Sequence, residues 1–276
     1  MLMIEMGLPA PNSQNGRAAD DLLDQVDVPA TVVCARCGSV DCTGCELDET
    51  LSGVIAIVAW ERREAPFLRR LWMTARATTR DPESFFEALP DGPITPALSF
   101  ALTSEILAAS AMIFALLPVV AIVSPLWVKE LLQNNASRAL AVRALAVGIP
   151  ILATMLVMAH AAHGLALDVG ARRSGARPER TRALRFGLYA TGWDLVLGPL
   201  GAVIVALTEG LSSVVALGKQ GMKLPSASAR AFLRGAYHLH GKSADASMRV
   251  AYLTAVVFSV LVAMGVLGFL VALALA

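Results

Sequence analysis

Cys34, Cys37, Cys42 and Cys45 are the only cysteines of the chain, arranged as two Cys-x-x-Cys knuckles four residues apart. Four thiolates suit a tetrahedral zinc site, and Gly38 after Cys37 permits the tight turn that aims backbone N–H groups at sulfur. Such a site is structural, because its four positions are filled and none is left for a reacting water. Zn2+ is therefore the expected cofactor, held at one compact site because the gap between the knuckles is short. Two alternatives stay open: an iron–sulfur cluster, disfavoured by the spacing, and unligated reduced thiols. A cytoplasmic setting argues against disulfides.

A second set of groups lies in strongly apolar sequence: Glu105, His160, His163, Asp194 and Glu209. Ionisable side chains inside membrane spans are costly and are functional candidates by default. His160 and His163 are three apart, close to one helix face. Glu105 and the two histidines are expected at similar depth near the cytoplasmic end of their helices, Glu209 near mid-membrane, and Asp194 near the opposite surface. Glu105, His160 and His163, reaching to Glu209, could relay protons or bind a metal. The plainer reading is polar pairing that merely keeps helices in register, and the sequence favours it. No His-Glu-x-x-His, Gly-x-Ser-x-Gly or phosphate-loop pattern is present. No catalytic residue is assigned, and the chain reads as non-enzymatic.

The elements that must position these residues follow from composition. The 276 residues are 56% hydrophobic and only 16% charged, with a mean hydropathy of +0.61. That is a membrane-protein balance. A net charge of +1 argues against a nucleic-acid partner. The expected fold is an all-α, polytopic helical membrane bundle of about five transmembrane helices, with a small N-terminal zinc knuckle. The spans are placed at 99–123, 139–167, 182–197, 199–218 and 249–275. The third and fourth form a hairpin that reverses at Gly198-Pro199-Leu200-Gly201, where proline removes a backbone donor. The third is short, and crosses only if Arg182 and Arg185 snorkel at one interface; a re-entrant half-helix is the alternative. Small residues such as Gly201, Gly210, Gly218, Gly265 and Gly268 permit close helix contact.

Loop charge sets the orientation. Basic clusters at 62–80, 172–185 and 219–249 share one side when the chain makes five passes. The positive-inside rule makes that side cytoplasmic. The N-terminus is then cytoplasmic and the C-terminus opposite. Residues 1–31 show no secretory signal and no sustained period, and are expected to be disordered. Residues 32–60 hold the knuckle and an apolar segment too short to span, expected to pack on the knuckle or lie on the membrane. Residues 61–97 form a cytoplasmic juxtamembrane segment. Within it, Phe67, Leu68, Leu71, Trp72 and Ala75 make an apolar stripe opposite Arg69, Arg76 and Arg80, as an interfacial helix requires; a soluble amphipathic helix packing on the knuckle is the equal alternative. A second amphipathic helix is predicted at 224–241, capped by Ser226 or Ser228 and ended by Gly241.

Several stretches resemble one family, the bacterial members of the Yip-domain group of membrane proteins. They are Trp60-Glu61-Arg62-Arg63, Arg80-Asp81-Pro82 through Phe86, Pro96 through Phe100, Leu184-Arg185 through Tyr189-Ala190 with Gly198-Pro199-Leu200-Gly201, and His240-Gly241 before the last helix. The cysteine segment resembles the first half of a B-box-like knuckle, without that finger's later ligands. The resemblance spans about 60–276. It implies a five-helix membrane domain (98–276) of the inner membrane with a cytoplasmic N-terminus, associated with trafficking or membrane organisation, and it implies no catalysis. The expected function is an adaptor that recruits a cytoplasmic protein partner through the knuckle and the amphipathic segments. The lipid bilayer and a second copy of the chain are the other partners admitted. A small transporter, or a proton/metal pathway through the intramembrane acids and histidines, is the alternative.

Overall fold

The computed structural model describes residues 58–62 and 64–275. The four cysteines and the 1–31 segment lie outside the described residues, as does most of 32–60. Among the described residues every regular element is helical. Trp60 starts the fold on the 3-10 turn Ala59–Glu61. Its backbone N–H donates to Thr74 Oγ1 at 2.8 Å, and its indole N–H donates to Pro96 O at 2.9 Å. A buried indole needs such an acceptor. One residue thus ties the turn to helix α1 (Phe67–Arg80) and to the start of α3 (Ile94–Val123).

The face of α1 that turns inward is not the one its apolar pattern predicts. Leu71 and Ala75 are buried as expected, but with Thr74, Thr78 and Thr79, while Phe67 and Leu68 point outward. Thr78 and Thr79 both donate their hydroxyls to Ala75 O, at 2.9 and 2.8 Å. A threonine satisfied this way packs like a small apolar residue. Short helix α2 (Pro82–Glu87) opens on proline and buries Phe85 and Phe86. Phe86 meets Phe186 at 4.7 Å, and Phe186 stacks on Phe232 at 4.6 Å.

Three helices are long and apolar enough to cross a membrane: α3, α5 (Asn135–Arg173) and the Gly241–Gly265 part of α11 (Gly241–Leu275). Between α3 and α5 stands α4 (Pro125–Gln133), an unpredicted helix begun by proline. Asn134 then caps α5 by accepting from the Ala136 N–H at 2.9 Å. Each long helix has two parts. In α3 the buried positions run from Ala97 to Ala109, in α5 from Ala153 to Ala171, and in α11 they include Ala244, Ser247, Met248 and Ala251. Beyond these the helices leave the packed body and show mostly apolar side chains, with Ile122 80% exposed and Arg138 and Arg143 near the start of α5 as the basic exceptions. At 39 residues α5 is roughly 58 Å long, enough for a bilayer core of about 30 Å and the body as well.

The region between α5 and α11 departs most from the sequence pattern. It forms α6 (Arg180–Ala190), α7 (Gly192–Leu197), α8 (Pro199–Glu209), α9 (Leu211–Gly221) and α10 (Leu224–Tyr237). At Gly198 the chain bends by 61° instead of folding back on itself. A second break comes at Gly210, whose φ of 88° is open to glycine but strained for other residues. By length and composition the bent pair Arg180–Leu197 and Pro199–Glu209 counts as a fourth span or as a re-entrant loop. Where the pattern predicts five spans, the folded chain therefore offers three to four.

Helix α10 stands where the second amphipathic helix is predicted, and its apolar face is turned into the body. Phe232, Leu233 and Tyr237 are buried, and Gly235 touches the Glu87 carbonyl so closely that a methyl there would overlap it. Ser226 and Ser228 do not cap α10; their hydroxyls donate back to Lys223 O and Leu224 O. The helix ends at His238 in the left-handed region (φ 54°), with the Leu239 N–H returning to Leu233 O. Gly241 opens the following helix instead of closing this one.

Candidate functional site

Glu105, His160 and Asp194 converge where the exposed apolar sections of α3 and α5 meet the packed body. Glu105 stands on the inward face of α3, one turn before the last buried positions of that helix, Ala108 and Ala109. His160 stands on α5. Gly187 on α6 lies against the His160 carbonyl, and Gly164 on α5 lies against the Ala183 carbonyl. A methyl at either glycine would overlap backbone, so this reciprocal contact brings α6 close to α5. The chain then continues into α7, where Gly192 sits on Ala75 and Thr78 of α1. Trp193 donates its indole N–H to Thr78 O at 3.0 Å. With α7 fixed on both sides, Asp194 reaches His160.

His160 Nε2 lies 2.9 Å from Asp194 Oδ2 and 3.6 Å from Glu105 Oε1. One ligating atom from each residue can be chosen so that all three lie within 4.8 Å of one another. The Trp193 ring meets the imidazole edge-on at 6.0 Å. Access is graded: the Glu105 side chain is 0% exposed, that of His160 17% and that of Asp194 42%. Among the described residues no donor is hydrogen-bonded to either carboxylate oxygen of Glu105, and the buried hydroxyl of the adjacent Ser104 has no partner. Chemically, this is an oxygen–nitrogen–oxygen set able to hold a cation between three helices.

The other predicted site residues have different neighbours. His163, three residues from His160, places Nδ1 3.4 Å from Ala251 O and faces α11. Glu209 does not stand at mid-membrane beside the cluster. It ends the eleven-residue α8 and pairs with two arginines of α1, Arg80 at 2.5 Å and Arg76 at 3.4 Å. Its expected depth assumes a continuous span from 199 to 218, which the break at Gly210 removes. Asp194, placed by the sequence pattern near the far surface, takes Glu209's place in the cluster. Cys34, Cys37, Cys42 and Cys45 lie outside the described residues.

Two further polar networks escape sequence reasoning. Arg185, expected to snorkel, is 1% exposed and pairs with Glu61 at 2.6 Å. The Tyr189 hydroxyl donates to the same Glu61 oxygen. On α5, Asp168 Oδ1 accepts from the Glu179 N–H and the Tyr237 hydroxyl, each at 2.9 Å, while Oδ2 lies 3.0 Å from Arg172 Nε. The four-residue spacings Arg185–Tyr189 and Asp168–Arg172 were the available signal; the long-range partners carry none. Comparison of the chain with protein-family models, with curated proteins and with solved structures finds no match.

Proposed function

We propose that this integral membrane protein binds a cation, a proton or a metal ion, at Glu105, His160 and Asp194, as part of a transport or coupling pathway. The observation that carries this reading is Glu105: a sealed carboxylate with both oxygens free of hydrogen bonds, beside a histidine and a second acid. Burying such a group without compensation costs several kcal/mol. Helix registration alone does not account for it, because a registering pair would satisfy its own atoms.

The topology we favour has α3, α5 and α11 crossing, with α8 and α9 re-entering from one side. Leu207 (82% exposed) and Leu211 near the Gly210 turn suit contact with lipid. The body and the three basic clusters then share a face, which the positive-inside rule makes cytoplasmic. Counting the bent pair as a full crossing would send Lys219 to Arg249 to the other side. The five-pass alternative needs α8 and α9 to act as one helix across Gly210.

The adaptor reading has less support. The apolar residues of α10 and the inner face of α1 are occupied within the body, leaving Phe67, Leu68 and Met73 as the outward patch of α1. Yip-type kinship stays a proposal from motifs; of the residues that carry it, Trp60, Glu61, Arg185 and Tyr189 hold the body together. Structural zinc at the cysteine knuckle, and a cytoplasmic partner for it, are proposals on the same footing.

The test is flux in proteoliposomes, followed with an internal pH dye and an internal divalent-metal dye. We expect proton or divalent-metal movement that Glu105→Gln and His160→Ala abolish. Flux equal to that of protein-free vesicles, or unchanged in both variants, would overturn the reading.

A further inference from the structure

Resting on the cation reading, we infer that Glu105, His160 and Asp194 form a three-ligand site for a divalent transition metal of the zinc class, with a fourth position open for exchange. Glu105 Oε, His160 Nε2 and Asp194 Oδ2 would be the ligands. Zinc bonds to nitrogen and oxygen are about 2.1 Å, so ligands at the corners of a tetrahedron stand about 3.4 Å apart. His160 Nε2 already lies 2.9 Å from Asp194 Oδ2 and 3.6 Å from Glu105 Oε1. All three atoms fall within 4.8 Å, so rotamer adjustments close the set without moving a helix.

The donor chemistry selects the ion. One imidazole and two carboxylates suit zinc, cobalt or nickel better than magnesium or calcium, which prefer oxygen-only shells. Two acids facing one another in an apolar setting repel, and a dication between them removes that cost. The unfilled hydrogen-bonding capacity of Glu105 marks the direction in which the ion sits. A proton alone explains less. A proton on Glu105 would be shared with Asp194 alone, whereas a dication engages all three side chains at once. Structural zinc sites are closed by four protein ligands, whereas three ligands leave a place for water or an incoming group. Asp194, the most exposed of the three, stands at the mouth, so an ion can enter and leave by it.

The experiment uses the full chain with Cys34, Cys37, Cys42 and Cys45 all changed to serine, so that thiolates contribute no metal binding. The protein in detergent micelles is titrated with Co2+ alone, then with Zn2+ as competitor. Visible absorption and equilibrium dialysis are the readouts. We expect one equivalent of Co2+ with a nitrogen–oxygen spectrum, displaced by Zn2+. Its affinity should fall by about a hundredfold in Glu105→Gln and in His160→Gln, and be partly restored in Glu105→Asp. Gel filtration confirms that each variant is folded, and the Glu105→Asp result stands where Glu105→Gln does not fold. Absence of a bound equivalent, or an affinity in both glutamine variants equal to that of the parent protein, would overturn the metal assignment. If the metal assignment fails while proton flux still requires Glu105, the broader cation reading survives with the proton as its ion. If both fail, both readings fall.

Discussion

Asp168 and Glu105 are both carboxylates almost without solvent exposure, at 1% and 0%, yet their surroundings are opposite. Asp168 has a backbone N–H and a phenol on one oxygen and an arginine against the other. Glu105 has no hydrogen bond to either oxygen. Desolvation penalises the two alike. The first is offset by partners drawn from α5, α10 and the loop before α6, so Asp168 is a rivet of the body. The second has no donor bonded to it among the described residues and faces a histidine and another acid, which is how a binding group differs from a structural one.

The contrast breaks first at the level of stability. Asp168→Ala should lower stability by about 3 kcal/mol, because it leaves Tyr237 and the Glu179 N–H without their acceptor and Arg172 without its counter-charge. Glu105→Met, which removes a buried carboxyl group and keeps the volume, should be neutral or stabilising by about 1 kcal/mol in metal-free buffer. Thermal melts in the same detergent compare the two. Losses of similar size would mean that Glu105 is also a rivet.

Gly164 sharpens the comparison from the side of position. Gly164→Ala should cost about 2 kcal/mol, since the new methyl overlaps the Ala183 carbonyl. It should also weaken Co2+ binding although alanine contributes no ligand, because α6 and α7 carry Asp194. Gly218→Ala, where the added methyl meets nothing within 4 Å, should instead gain about 0.5 kcal/mol. Equal melts and equal affinities for the two alanine variants would separate the site from the glycine contact.

The smallest effect concerns Tyr237. Burial, and then its hydrogen bond to Asp168, hold its phenol above the ordinary value of 10.0. An unfolded chain ionises at that value while the folded one does not. The contribution is therefore whole below about pH 10 and declines as pH rises beyond it, by about 1.4 kcal/mol per unit at most. Tyr237→Phe should start lower at neutral pH and fall less steeply in the alkaline range. Parallel alkaline melts would show that the phenol ionises freely and that the Asp168 network is looser than described.

Much of the fold is legible in the sequence, and the reasons are local. The apolar runs announce α3, α5 and α11, and Pro82 and Pro199 mark helix starts where the chain indeed begins them. Legibility fails where a polar side chain satisfies itself, as in the inward threonines of α1. It fails also where a non-glycine residue, His238, takes the left-handed position that Gly241 advertises. In the candidate site, Glu105 and His160 stand out as ionisable groups in apolar helices, whereas His163 and Glu209 stand out equally and belong elsewhere.

By itself the sequence determined which segments are apolar enough to cross a membrane, and that most of its basic residues gather in three clusters. These are properties of composition and of short-range period, and solvation acts on them residue by residue. Only the tertiary structure decided that Asp194, and not Glu209, joins Glu105 and His160. That choice depends on the breaks at Gly198 and Gly210 and on the Gly164–Gly187 contact, which act together across α3, α5 and α7. Backbone approach at a glycine is a matter of what lies opposite, and no residue carries that information alone.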